Sequence, residues 1–234
     1  HVPLGQEVLK RGIVFIDLAI AQIAGLGIIA AYSFGFEMDG PVVQLIAGGS
    51  AMLGAVLLNW TESRWQQGQE ALIGVIFILA ATTGILLLAN NPHGGEHLQE
   101  LLSGQILWVN WPRLLWVGGL YAVILLIWFR FKARLGSLGF YLLFALSVTA
   151  SVQLVGVYLV FSSLIIPALA TSRLGLSGPH RLRWGYLMGI IGYIAGLMLL
   201  TMTDLPSGPM IVWCLAIVAV MVVFLKGRKQ GKGR

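Results

Sequence analysis

Few side chains in this sequence could do chemistry, and they fall into three groups. Asp17 and Gln22 lie close together near the start, in the stretch Ile16-Asp17-Leu18-Ala19-Ile20-Ala21-Gln22. The stretch Asn90-Asn91-Pro92-His93-Gly94-Gly95-Glu96-His97 puts two imidazoles near one carboxylate. Gln153, preceded by Ser147, Thr149 and Ser151 and followed by Ser162 and Ser163, forms the third group. Carboxylate, amide and hydroxyl oxygens are donors for hard cations, whereas imidazoles beside a carboxylate suit Zn²⁺. The chemistry within reach is therefore cation binding rather than bond breaking. The sequence holds no P-loop, nucleophile elbow or zinc-protease pattern, so no enzyme activity is expected. The single cysteine, Cys214, excludes an intramolecular disulfide and any multi-cysteine metal site.

The elements that must position these groups follow from composition. Of 234 residues, 58% are hydrophobic and 10% charged, and the mean hydropathy is +0.87. A soluble domain carries about 25% charge, so this chain lacks the polar surface to cover a core in water. Its solvent is a bilayer. A span needs about 20 mostly apolar residues, and runs of that kind lie at Gly12–Tyr32, Pro41–Asn59, Glu70–Asn90, Pro112–Phe129, Trp184–Thr203 and Gly208–Leu225. Between them, Gly139–Thr171 would make about 50 Å of helix, too long for one crossing. Gly156 lies at its middle, where a break costs little, and Pro167 lies in its second half. Two short spans meeting near Leu154–Gly156 fit the length. The expected fold is all-α: a polytopic transmembrane bundle of about eight spans with a central broken-helix hairpin, forming one domain over residues 1–234. The chain starts at His1 rather than Met, and a further hydrophobic segment is expected upstream of it.

Charge supports this count. With the start inside and eight alternating spans, Lys10, Arg11, Arg64, Arg130, Lys132, Arg134, Arg173, Arg181, Arg183 and the basic tail from Lys226 to Arg234 all fall inside, as the positive-inside rule requires. Only Arg113 falls outside, while Glu37, Asp39, Glu96, Glu100 and Asp204 occupy the outer loops. A single span over Gly139–Thr171 would instead put basic loops on both sides. The net charge of +6 is thus explained by topology and anionic lipid, and no nucleic-acid partner is expected.

Asp17 lies a few residues inside the first span. An ionisable group at that depth must face protein or a hydrated cavity. Asp17, Gln22, Gln153, Ser162 and Ser163 are therefore candidates for a solute path. Helix-to-helix hydrogen bonding explains the hydroxyls equally well, and Asp17 near Lys10 and Arg11 could be interfacial. His93, Glu96 and His97 are candidate metal ligands. The two imidazoles share a face only in a helix, against which Gly94-Gly95 argues, so a solvated loop is the alternative. From His97 to Val109 the chain is apolar but too short to span. It reads as a re-entrant or interfacial helix, with Trp108 and Trp111 at the headgroup level.

Three stretches together resemble the membrane permeases of bacterial zinc/manganese-type ABC importers. They are Arg11-Gly-Ile-Val-Phe-Ile-Asp17, the hairpin Val152-Gln-Leu-Val-Gly-Val-Tyr-Leu-Val-Phe-Ser-Ser-Leu-Ile-Ile-Pro-Ala-Leu-Ala170, and the turn Thr203-Asp-Leu-Pro-Ser-Gly-Pro209. Leu102-Ser-Gly-Gln-Ile-Leu107 resembles a further family segment. The resemblance covers nearly the whole chain. It implies a permease of the bacterial inner (plasma) membrane that forms a homodimer on two cytoplasmic ABC ATPase subunits. An extracytoplasmic solute-binding protein would deliver Zn²⁺ or Mn²⁺ as cargo, with no covalently bound cofactor. Two departures stand out. Where the family places a His four residues after the first-motif Asp, this chain has Ala21. Where the family has a longer loop with a coupling helix, this chain has only Arg130–Ser137. A permease for another small solute and a non-transporting scaffold or sensor on the same bundle are the alternatives.

The topology is directly testable. Cysteine labelling at positions 39, 93 and 204 should report the outside, with the tail and Arg181 protected. Labelling of Arg181 or the tail from outside would reject it.

Overall fold

The computed structural model describes residues 1–36, 40–64, 68–89, 94–104, 106, 109–131, 134–174, 178–202 and 206–231, without the side chains of 94, 97, 100, 113 and 226–231. Ten α-helices follow in order: α1 Val2–Arg11, α2 Ile16–Ser33, α3 Pro41–Arg64, α4 Gln69–Leu88, α5 Gly94–Ser103, α6 Trp111–Phe131, α7 Ser137–Val155, α8 Val157–Arg173, α9 Gly178–Leu200 and α10 Ser207–Gly231. Seven of them are long and apolar enough to cross a membrane, and α8 is a shorter apolar helix. The expected all-α bundle is what forms.

Proline placement helps to set the helix starts. Pro3, Pro41, Pro112, Pro179 and Pro209 all lie in a first turn, where the missing N–H has no partner to lose. Pro167 alone is internal to a described helix. It removes the bond to the Ser163 carbonyl one turn back, and the Thr171 hydroxyl donates to the Pro167 carbonyl at 2.8 Å.

The first span begins later than its apolar run suggests. Val2–Arg11 is a separate buried helix that stops at Gly12, whose φ of 70° is left-handed. Gly12 N–H bonds to the Leu9 carbonyl and Ile13 N–H to the Val8 carbonyl, both at 3.3 Å. That is the Schellman pattern, and Val8 and Ile13 bury their side chains in the same core cluster. The chain turns through residues 12–15 and α2 starts at Ile16. The ten residues of α1 are about 15 Å long.

Three helices, α2, α7 and α8, occupy the centre. In α2 and α7, 61% of the spanning window is buried, against 11% in α6. Lipid supplies no hydrophobic drive between helices, so close backbone approach must do the work. α3 accordingly turns Ala47, Ala51, Gly54 and Ala55 inward, and a Cβ on Gly54 would meet Ile23 of α2 at 2.7 Å. α9 receives α10 in the same way, through Gly192 against Leu215 and Gly196 against Ile211.

The expected break at Gly156 is present, with φ 80° and ψ 163°. The chain doubles back there. A continuous helix would hold Ser151 and Ser163 about 18 Å apart, yet one imidazole, that of His1, lies 2.8 Å from Ser151 Oγ and 2.5 Å from Ser163 Oγ. The arms diverge into different neighbourhoods, α7 onto α3 and α2, and α8 onto α10, α1 and α9. Onto their apex packs the C-terminal end of α5. A Cβ on Gly156 would stand 2.4 Å from Gly104 N and 2.5 Å from Ser103 C, and one on Gly208 would stand 2.2 Å from Ser103 O. Backbone meets backbone at three sequence-distant glycines.

Connections at the basic end are short. Among the described residues no helix lies between α6 and α7, and α8 passes to α9 across 174–177.

Gly156→Ala should therefore cost at least about 3 kcal/mol, combining left-handed strain with an unrelievable backbone clash. Gly48→Ala, in an open helical position, should be neutral or stabilising by up to about 1 kcal/mol. Thermal unfolding of both variants in detergent checks the contrast.

Candidate functional site

Asp17 occupies the first turn of α2 and is 2% exposed. Its backbone amide and that of Leu18 lie beside the carboxylate, but neither oxygen has a hydrogen-bond partner among the described residues. A buried carboxylate with only two backbone amides beside it and no partnered side chain is costly to ionise, which makes Asp17 a candidate functional group. Glu70 lies in the first turn of α4, which packs on α2. Glu70 Oε1 accepts a hydrogen bond from Phe15 N–H at 3.1 Å, while Oε2 is buried without a partner.

Glu70 opens onto a cleft of ≈ 880 Å³ at the basic end of the bundle, lined also by Arg11, Gly12, Ile13, Glu62 and Ser137. One wall is a charged network. Arg11 Nη1 donates to Ser137 Oγ at 3.0 Å and lies 3.5 Å from Glu62 Oε1, while Nε lies 3.6 Å from Glu7 Oε1. Ser137 Oγ donates in turn to Glu62 Oε2, and the guanidinium covers the Phe140 ring at 4.3 Å. Behind it, Gln69 Nε2 donates to Tyr141 OH at 2.9 Å and to the Leu58 carbonyl at 3.3 Å. The network ties α1, α3, α4 and α7 together.

Gln22 lies about 7.5 Å further along α2. It is half-buried and lines a cavity of ≈ 10 Å³ with Val152 and Val157 from the hairpin apex and Leu98, Leu101 and Leu102 from α5. That volume admits about one water. α5 thus covers the centre of the bundle from the side opposite the cleft. Gln153 is half-buried next to Val152, and Ser162, Ser163 and Gly156 are buried. Ser163 belongs to a third place, a polar cluster in which Tyr121 OH bonds to His1 Nε2 at 2.7 Å and donates to the Ser147 carbonyl at 2.8 Å. Tyr121 also bonds to Ser151 Oγ.

The path candidates on α2, α7 and α8 therefore lie in separate places and, among the described residues, form no single shell of ligands. His93 lies outside the described residues, and the side chain of His97 is likewise not described. Glu96 is exposed on α5, which begins at Gly94 despite the Gly94-Gly95 pair. Among the described residues no group of three His, Cys, Asp or Glu comes together. Sequence reading missed Glu70, Tyr121 and the Arg11–Glu62 pair. Glu70 is an ordinary helix-start carboxylate by position, and only the packing of α4 on α2 brings it to the start of α2.

A family model described as the ABC 3 transport family matches residues 2–140 and 131–226. The "High-affinity zinc uptake system membrane protein ZnuB" of Haemophilus influenzae is 24% identical over 97% of this chain and 92% of its own length. The "Manganese transport system membrane protein MntC" of Halalkalibacterium halodurans is 25% identical over 97% of this chain and 82% of its own. Among solved structures, PsaBC from Streptococcus pneumoniae in complex with Fab superposes with a TM-score of 0.72 at 20% identity, covering 93% of this chain and 83% of that one.

Tyr141 is fully buried, and Tyr141→Phe leaves the buried Gln69 amide short of an acceptor. A loss of about 1–3 kcal/mol is expected, read as a lower unfolding temperature in detergent beside an unchanged Tyr158→Phe, whose ring is exposed.

Proposed function

The chain belongs to the ABC 3 transport family, and on that footing we propose that it is the membrane-spanning permease subunit of an ABC-type importer for divalent metal ions, Zn²⁺ or Mn²⁺. It is a multi-pass inner-membrane protein. The observation that carries the reading is Asp17, a carboxylate 2% exposed and without a hydrogen-bond partner among the described residues, on the central helix of a fold that relatives named for zinc and manganese transport share over nearly their whole length.

The basic end of the bundle is cytoplasmic by the positive-inside rule. The cleft beside Glu70 then opens inward, and α5 with its leucines covers the outward side. In this arrangement an open cleft beside Glu70 faces the cytoplasmic side, and an apolar lid faces the outside. A carboxylate at the depth of Asp17 offers a charged cation the counter-charge that lipid and apolar side chains cannot. ATP hydrolysis would belong to separate cytoplasmic ATPase subunits seated on the basic end, with an extracytoplasmic binding protein delivering the ion to the α5 side. A homodimer of permeases would complete the importer. Net inward movement then follows if hydrolysis drives the bundle between this state and one open to the outside.

Metal content and uptake in cells with and without this gene test the reading, together with Asp17→Asn beside a His93→Ala/His97→Ala double variant, all at matched membrane expression. Removing the gene should abolish the high-affinity uptake of one divalent metal. Asp17→Asn should lower that uptake at least tenfold, whereas the double His variant should lower it less. Parental uptake in Asp17→Asn would remove that residue from the path, and metal uptake indifferent to the gene would favour another small solute or a non-transporting role.

A further inference from the structure

We propose that Arg11 is a reversible latch: it ties two halves of the bundle together at the cytoplasmic end, and its release is a step of the transport cycle. The cycle rests on the permease reading, whereas the tie rests on contacts within this chain alone.

Packing defines the halves. α8 collects α1, α9 and α10, while α7 and α2 collect α3, with α4 on α2. α1 is seated firmly in the first half. A Cβ on Gly5 would stand 2.0 Å from the Leu164 carbonyl oxygen of α8, and one on Gly185 of α9 would stand 2.6 Å from the Val2 side chain. From this seat the last residue of α1, Arg11, reaches into the second half. Its Nη1 donates to Ser137 Oγ, at the first residue of α7, and lies 3.5 Å from Glu62 Oε1 of α3. The guanidinium also covers the Phe140 ring of α7 at 4.3 Å. Ser137 closes the triangle by donating to Glu62, and Glu7, one turn back on α1, steadies Nε at 3.6 Å. The planar fork of an arginine can serve several acceptors and a ring face at once, which a lysine cannot.

The surroundings of the tie suit release. Nearer the centre, Leu4 and Val8 of α1 share one apolar cluster with Phe140 and Phe144 of α7. At Arg11 that contact gives way to charged and hydroxyl groups lining an open cleft of ≈ 880 Å³. The Arg11 and Glu62 side chains are 23% and 28% exposed, so water can take up each bond as it breaks, and pairs of this kind are weak. Arg11 also acts at the end of α7 opposite Gly156, where the two halves meet the least restraint from their shared apex. The chain supplies a joint as well. α1 passes to α2 through Gly12, whose φ of 70° ends the helix and where an added Cβ would meet nothing within 4 Å. The backbone is therefore uncrowded where α1 leaves one half for the other.

The test uses the full chain purified in detergent, with Cys214→Ala, and nitroxide labels on Leu57→Cys of α3 and Ser172→Cys of α8, both exposed positions. Double electron–electron resonance reads the distance between the halves. The parent should give one narrow distribution. Arg11→Gln and Glu62→Gln should each add a population longer by at least about 3 Å, beyond the 1–2 Å of ordinary helix shifts. The double variant should match either single one, because both remove the same tie. Unfolding temperatures should stay close to the parent's, as loss of a partly exposed pair predicts. Distributions equal to the parent's in both single variants would overturn the latch. A second arm needs neither variant to be stable without a tie. Arg11→Cys with Ser137→Cys, bridged in cells by a short bis-methanethiosulfonate, replaces the latch with a bond that reductant removes. The bridge should cut metal uptake at least tenfold, and reductant should restore it. Uptake untouched by the bridge would overturn release as a step of the cycle. A parent that imports no metal defeats the permease reading, while the distance measurement still decides the tie.

Discussion

The bundle depends on one contact, the meeting of three backbones at Gly104, Gly156 and Gly208. Each of these glycines comes from a different part of the chain, and a Cβ on any of them would fall within 2.4 Å of main-chain atoms on the others' segments. In water, apolar burial could hold three such segments together even if they fitted loosely. In lipid it cannot, because a lipid tail is as apolar as any side chain, and what remains is van der Waals contact at short range. The contact also seats the end of a helix that does not cross. α5 would otherwise present its last carbonyls to hydrocarbon, and irregular backbone at that depth persists only where protein covers it. Through this junction α5 is fixed beneath the outer surface, its leucines close the small cavity at Gln22, and the hairpin arms are directed away from one another.

At the opposite end, cohesion is polar. Arg11, Glu62, Glu7 and Ser137 draw α1, α3 and α7 together, and Gln69 with Tyr141 adds α4. Partly exposed pairs of this kind contribute little each, about 1 kcal/mol or less, so the network sets geometry more than stability. It holds Arg11, Glu62 and Ser137 of the cleft lining in a defined arrangement. The bundle is thus dry and close-packed toward the outside, and wet and charge-ordered toward the cytoplasm.

Much of this was legible in the sequence because the bilayer reduces the problem to apolar length and loop charge. The spans, the break at Gly156 and the depth of Asp17 all follow from local runs. The misses have a common cause, which is that they depend on contacts between distant segments. α1 carries Gln6, Glu7, Lys10 and Arg11 and shows no spanning run, so only its Gly12 stop and its burial against α8 reveal it. Glu70 stands where any helix would accept an acid. The glycines at 104, 156 and 208 were visible as members of three motifs, but nothing in a linear pattern says that glycines more than fifty residues apart meet at one point. The histidine loop lies partly outside the described residues.

The divergence of α7 and α8 from a fixed apex has a mechanical consequence. Each arm is a lever about 25 Å long at 1.5 Å per residue, pinned at Gly156, with its far end at Ser137 or Arg173. Widening the angle by about 10° would carry the far ends apart by about 4 Å and leave the pinned end almost stationary. Since α7 packs with α2 and α3, and α8 with α1, α9 and α10, each lever would take its own helices with it. The bundle is in this sense a pair of tongs with its rivet on the outer side.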